Sequence, residues 1–447
     1  MILKAFHYRL YPNLKQQEMF AKHFGCARFV WNWALEKKTR SYAKDKKCLS
    51  VQKLITDLPN LKTSNPWLKE INSQSLQYSL INLDTAFSNF FRRLADPEVK
   101  EKGYPVFKER KGRQSFHCPQ NVKIDFERNK ISLPKIRDIK TKFSRKFEGK
   151  VNTVTISRTP ANRYFVSILV ENIDIPPQKP KIDRDQTIGI DLGLKDFAIL
   201  STGEKIPNPK FNYQKENKHI KRLNRRISRQ YEMNEKHTKN RHKNCVKRAK
   251  LFEKESNRRK DFHHKVSSKL VRENQTICLE DLNITGLMKN HKVAESFASV
   301  GLSTFVNYLK YKCEWYGKNL IFINRFDPSS RICNCCGYYN HDLKLGDRTW
   351  KCPQCQTILD RDVNAAKNIK DFALQKQNLI GQVPHKERQV PVKKNRFKKK
   401  ENKIPLDKRE LTLQESGPLL TLREGVGKFA QKTKNESLCK NEESTPL

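Results

Sequence analysis

The spacing Cys333-x2-Cys336-x15-Cys352-x2-Cys355 constrains this chain more than any other stretch of it. Two Cys-x2-Cys pairs so separated form two knuckles that close a tetrahedron of thiolates around one metal ion. Gly337 follows the first knuckle and Pro353 lies inside the second, as tight turns require. Four soft ligands with no open position imply structural zinc rather than a catalytic metal. Cys335 lies inside the first knuckle and competes with Cys333 for that role, but the two-residue spacing favours the outer pair. The chain has 12 cysteines, and the others are mostly scattered singly. A disulfide framework is not expected of a large intracellular protein, so the cluster alone calls for a chemical account.

At 447 residues the chain has room for two or three domains. Its formal net charge of +44 far exceeds what solubility needs. The surplus is clustered, which favours a polyanionic partner, because Lys and Arg gain by releasing counterions from phosphates. No signal-peptide order and no apolar run of membrane-spanning length are found, so a cytoplasmic protein without a membrane partner is expected.

Residues 1–10 read as a short strand, and Leu14 to Phe91 follow a helical pattern punctuated by Pro59 and Pro66. From Ser115 to Glu171 short β-type runs return, among them Lys130–Leu133, Val151–Ser157 and Tyr164–Val170. The economical arrangement is a small β-barrel interrupted by a helical insertion. Pro176 to Pro180 looks like a linker, after which Ile188-Gly-Ile-Asp-Leu192 opens an α/β domain. Residues 215–265 carry Arg222, Arg225, Arg226, Arg229, Arg258 and Arg259 among sparse apolar positions. A basic helical hairpin whose arginines bind nucleic acid fits them, and a solvated charge-rich coil is the alternative. Beyond Lys376 the chain is polar, with a basic block at Lys393–Lys400, and a disordered nucleic-acid-binding arm is expected.

Three acids stand in unusual places. Asp191 ends the apolar run Ile188-Gly-Ile-Asp, and Glu280 ends Ile277-Cys-Leu-Glu. A carboxylate there is costly unless it is paired or binds a cation. Asp362 begins a helix that continues through Ile369 and Phe372, where an acid also suits the helix dipole. Together the three could hold two hard cations, Mg²⁺ or Mn²⁺, roughly 3.5–4 Å apart for phosphodiester hydrolysis. IGIDLG alone also suits an actin-like ATPase, but the chain continues Leu194-Lys-Asp-Phe197 without a Ser/Thr-rich phosphate turn.

From Met1 to about Phe372 the sequence resembles the TnpB family, zinc-ribbon proteins of transposons related to type V CRISPR effectors. The resemblance is carried, in order, by Tyr8-Arg-Leu-Tyr-Pro12, Asn32-Trp-Ala-Leu35, Tyr104-Pro-Val-Phe107, IGIDLG, Asn257-Arg-Arg-Lys-Asp-Phe262, LEDLN, the four cysteines and DRDVNAAKNI. It implies a multidomain α/β chain. A wedge β-barrel would begin at 1–12 and resume at 115–180, around a helical recognition insertion at 13–114. A RuvC nuclease domain of RNase H fold would occupy 181–326, including the basic hairpin. A zinc ribbon that binds target nucleic acid would follow at 327–358, then the last RuvC helix at 359–376 and a basic tail at 377–447.

The resemblance also implies an RNA-guided DNA endonuclease of an insertion sequence, monomeric with a guide RNA from the transposon end. It would cut target double-stranded DNA beside a short transposon-adjacent motif, in the prokaryotic cytoplasm and at the nucleoid. Asp191, Glu280 and Asp362 match the family's catalytic carboxylates, with Asp281 and Asp360 as neighbours. Ser75, Gln77 and Tyr78 are candidates for reading the motif, since amides and hydroxyls suit base edges; ordinary helix surface is the alternative. Two other functions stay open: a guided DNA-binding regulator with silent acids, and a strand-joining transposase or recombinase.

Overall fold

Residues 3–11 alternate in burial, with Tyr8 and Leu10 turned into a core and Leu3, Ala5 and His7 turned out, the period of a strand with one packed face. The computed structural model describes residues 2–46, 48–97, 99, 102–172, 177–209, 214–232, 238–344 and 346–377. In it this run lies in strand β1 (Ile2–Tyr11). The expected basic tail, with Lys393–Lys400, lies outside the described residues.

Three helices follow: α1 (Leu14–Asp45), α2 (Val51–Ser64) and α3 (Ser73–Ala95). Asn13 starts α1 with a capping box, its side chain accepting from Gln16 N while the Gln16 side chain accepts from Asn13 N. Leu54, Leu58, Leu68, Leu76, Leu80 and Leu83 close a helical core that is 0–2% exposed. Pro59 does not end a helix as its type suggests; it lies inside α2, where burial of Leu54, Leu58 and Leu61 offsets the lost N–H bond. Pro66 opens a 3-10 turn, Pro66–Glu70.

The chain then returns to strands: β2 (Gln114–Cys118), β3 (Lys123–Asp125), β4 (Lys130–Leu133), β5 (Ile136–Lys142), β6 (Lys150–Arg158) and β7 (Tyr164–Asn172). With β1 they make a seven-stranded antiparallel sheet in the order β2-β6-β7-β1-β5-β4-β3. β1 pairs with β7 from Ile2↔Asn172 to Leu10↔Tyr164, and the helices are an excursion between β1 and β2, which β6 and β7 separate in the sheet. Phe20, Phe24 and Ala27 of α1 pack into the core of this sheet.

A second sheet is built from β8 (Thr187–Leu192), β9 (Asp196–Leu200), β10 (Lys205–Pro207), β11 (Thr276–Glu280) and β12 (Asn319–Ile323). Its order is β10-β9-β8-β11-β12; β8, β11 and β12 run parallel, β9 is antiparallel to β8, and β10 antiparallel to β9. Two long helices, α4 (Gln214–Glu232) and α5 (Lys239–Glu273), interrupt it. Ile220, Leu223 and Ile227 bury one stripe of α4, and Arg222, Arg225, Arg226 and Arg229 stand exposed on the others. This is the expected basic hairpin rather than a coil. Shorter helices α6 (Ile284–Leu287), α7 (His291–Val300) and α8 (Leu302–Trp315) precede β12. A small hairpin, β13 (Thr349–Lys351) and β14 (Ile358–Asp360), leads into α9 (Arg361–Lys376). The whole is a mixed α/β, multidomain fold, and among the described residues no helix is long and apolar enough to cross a membrane.

The strand period sorts the second sheet's two faces. Ile188, Ile190, Ile277 and Leu279 face α5 and α8 through Leu270, Val271, Phe305 and Leu309. Cys278 joins Ile323, Ile369 and Ala373 on the α9 side. Gly189 also faces α9, and a Cβ there would overlap the Ala366 carbonyl oxygen and come within 2.7 Å of Lys370 N. Backbone cannot yield as a side-chain tip does. Gly189→Ala therefore forces α9 away from β8 at a cost of about 2 kcal/mol or more, seen as a lower thermal unfolding midpoint; an unchanged midpoint would show that α9 does not sit this close.

Candidate active site

Asp191 and Glu280 project from neighbouring parallel strands. Leu279 pairs with Ile190, so the two acids stand one residue further along, side by side at the strand ends. By alternation both lie on the face covered by α9, opposite the apolar core of Ile190 and Leu279. Asp362 lies in the first turn of α9 on that same face. Asp191 stands between the other two electrostatically, feeling Asp362 and acting on Glu280. Burial and then the charge of Asp362 push the Asp191 carboxyl up to about 6, against an opposing pull from Arg361. Burial, then Asp191, Asp327 and Asp281, push Glu280 up to about 7. Two carboxyls so raised describe a pocket short of positive charge.

The surroundings fix Asp362 in place. Arg348 donates to its Oδ2 at 3.2 Å and Arg361 to its Oδ1 at 3.1 Å. Asp360 is the N-cap of α9, accepting from the amides of Asp362 and Val363, and it pairs with Lys205 at 2.6 Å. Asp281 is tied to Arg325 at 2.7 Å. Hard oxygen donors of like charge on one face suit a hard divalent cation.

The four cysteines come together. Among the described residues, Cys333, Cys336, Cys352 and Cys355 are the one group of three or more ligating side chains whose atoms all lie within 4.8 Å of one another. Cys333 and Cys355 Sγ are 3.7 Å apart, and Cys336 and Cys352 Sγ 3.5 Å. A tetrahedral thiolate site with bonds of about 2.3 Å sets its sulfurs about 3.8 Å apart. The cluster therefore fits a zinc-ribbon ion, and Cys335 is exposed outside it. The three acids are more widely spaced than these sulfurs.

Two asparagines that the sequence reading did not single out join the ribbon to α9. Asn364 and Asn368 are 2% exposed, one helical turn apart. Asn364 Nδ2 donates to Ile332 O at 2.7 Å, and Asn368 Nδ2 to Ser329 O and Ile332 O at 2.6 Å. Asn334 answers from the first knuckle, with N–H to Asn364 Oδ1 at 2.9 Å and Nδ2 to Asp371 at 2.7 Å. The signal was present as amides on the apolar stripe of Val363-Asn-Ala-Ala-Lys-Asn-Ile369.

Two of the expected nucleic-acid contacts make bonds within the protein. Ser75 is 1% exposed and its hydroxyl donates to His117 O at 2.6 Å, so it joins α3 to β2 and cannot meet a base edge. Arg259 donates to Ala298 O and Ser299 O, at 3.4 and 3.0 Å, capping the last carbonyls of α7. Gln77 and Tyr78 are half-buried, and Tyr78 stacks on His117. Arg258 is exposed.

The acid cluster has a testable cost. A carboxyl whose folded pKa lies above its unfolded value destabilises the fold whenever it is charged. For Asp191 that cost is complete above about 6 and fades as pH falls toward 3.8. Asp191→Asn should thus stabilise the metal-free protein by roughly 1–3 kcal/mol at pH 8, with the gap in unfolding midpoint narrowing below pH 6. A variant that melts below wild type in chelator at pH 8 contradicts this.

Known proteins carry related sequences. Residues 167–291 match the OrfB_IS605 family, described as "Probable transposase". Residues 1–47 match a helix-turn-helix domain of that family, although here they fold mainly as β1 and the single long helix α1. Residues 303–369, which span the ribbon, match the Cas12f1-like TNB domain. A "Putative RNA-guided DNA endonuclease" of Streptomyces pristinaespiralis is 36% identical over 373 residues, 82% of this chain and 89% of that protein. Its Escherichia coli counterpart InsQ is 30% identical, over 82% of this chain and 91% of the other. The TnpB-like protein L770 of Acanthamoeba polyphaga mimivirus is 24% identical, over 82% of this chain and 72% of its own length. Identity of 36% sustained across most of both sequences is far outside chance, and it makes this chain a member of the TnpB family.

Proposed function

We propose that this protein is an RNA-guided DNA endonuclease in which Asp191, Glu280 and Asp362 hold the divalent ions for phosphodiester hydrolysis. The observation that carries the reading is the shared face of the three acids, two at adjacent strand ends and one in the first turn of α9. The order β10-β9-β8-β11-β12 supports assigning this half to a RuvC domain of RNase H fold. The seven-stranded sheet is then the wedge, and α1 to α3 the recognition insertion.

Two magnesium or manganese ions, when bound, would supply the Lewis acid and the activated water for in-line attack at phosphorus. The chain's own contribution is to hold Asp191 and Glu280 side by side and to orient Asp362 through one bond to each of its oxygens. The four thiols would hold zinc as a structural ion. The exposed arginines of α4, Arg222, Arg225, Arg226 and Arg229, offer a sequence-independent track for the guide RNA or the heteroduplex. Sequence is read by base pairing, and Gln77 and Tyr78 remain candidates for reading the adjacent duplex motif.

The decisive experiment is to purify the protein with the RNA that accompanies it at its native locus and to offer target DNA. Wild type should linearise the target in Mg²⁺ or Mn²⁺, and Asp191→Ala should cut at least a thousandfold more slowly while binding undiminished. A wild-type complex that binds but never cuts would make it a guided DNA-binding regulator, and strand joining would make it a recombinase. Elemental analysis should return one zinc per chain. Cys352→Ser should lose it, and protease should then cut within residues 327–358, where Leu343 and Trp350 pack on the sulfurs.

A further inference from the structure

The turn after β12 presents Phe326, 88% exposed and the most exposed large hydrophobic side chain among the described residues. Single exposed apolar residues are ordinary on protein surfaces. Phe326 differs in where it stands and how it is held. Asn324 N donates to Asp327 Oδ2 and Asp327 N to Asn324 O, both at 3.1 Å. Ser329 N donates to Asp327 O at 2.8 Å, so the turn is bonded on both sides of the ring's residue. It is also stitched to the acids: Asp281 N donates to Ile323 O at 3.2 Å, and Arg325 reaches Asp281 Oδ2 at 2.7 Å. Asp281 follows Glu280 directly, and Glu280 feels the charge of Asp327. The aromatic ring therefore sits on a fixed turn at the rim of the carboxylate cluster.

We propose that Phe326 is a stacking platform for an unpaired base of the DNA strand that enters this site, positioning the scissile phosphate at the acids. The proposal rests on the nuclease reading above. A guided nuclease opens its target, so the strand to be cut arrives with bases free to stack. An aromatic face accepts every base, as suits a site whose sequence information comes from RNA. The net charge of +44 brings the strand near but sets no register along it, whereas stacking does.

Cleavage kinetics of the complete protein–RNA complex on target DNA carrying single abasic sites test this, with position scanned along the strand being cut. At one position the abasic site should slow wild type by about tenfold. Phe326→Ala should be about tenfold slower on intact DNA and lose no more rate at that position. Phe326→Trp should restore the rate and Phe326→Leu should not. Because the side chain is solvent-exposed, the unfolding midpoint of Phe326→Ala should equal that of wild type. Any of three results overturns the proposal: Phe326→Ala cutting at the wild-type rate, Phe326→Leu matching wild type, or abasic effects of equal size in both proteins. A wild-type complex that never cuts overturns the nuclease reading together with this one, and is told apart because in the other cases wild type cuts.

Discussion

The close approach of α9 to β8 is the contact on which the rest of the second half depends. Gly189 leaves room for the Ala366 carbonyl, and Ala365, Ala366 and Ala373 keep the helix side equally thin. Only at that distance can Asp362, in the first turn of α9, act on Asp191 at the end of β8. A larger residue on either side would separate charges that the surrounding sheet has no other means of gathering. The string Ile188-Gly-Ile-Asp191 is thus a packing instruction and a chemical one in four residues.

Gathering the acids works against stability. Burial and the charge of neighbouring acids raise Asp191 and Glu280, and what holds the cluster is the apolar core on the opposite face of the sheet. Arg348 and Arg361 both pair with Asp362, and Arg361 also pulls against the raised Asp191. A fold that keeps such a cluster gives up stability to gather like charges, as sites built for chemistry commonly do. The ribbon belongs to the same arrangement. Its knuckle is tied to α9 by Asn334, Asn364 and Asn368, and its hairpin carries Arg348 to Asp362. The four-cysteine module has little core of its own, Leu343 and Trp350 being its main buried side chains apart from the cysteines.

The first half obeys simpler rules. β1 and β7 are paired along most of their length although far apart in sequence, and the helices between them close their own leucine core while α1 lends Phe20 and Phe24 to the sheet. Helical and strand periods were legible there because each element has one packed face. β2 and β5 were not picked out from sequence: Gln114–Cys118 and Ile136–Lys142 mix charged and polar residues with few apolar ones, and their pairing partners supply the pattern they lack.

Local chemistry alone determined the cysteine cluster, the strand-end acids, the basic hairpin and the strands that flank them, because spacing, period and the cost of a misplaced charge are written residue by residue. Tertiary structure decided the rest. It turned Ser75 inward to His117, spent Arg259 on the carbonyls of α7, placed Pro59 within a helix, and gave Asn364 and Asn368 their partners in the ribbon. A side chain's type states which bonds it can make. Which of them it makes depends on what the fold brings within about 3 Å, and that distance is set by packing between segments the sequence lists far apart.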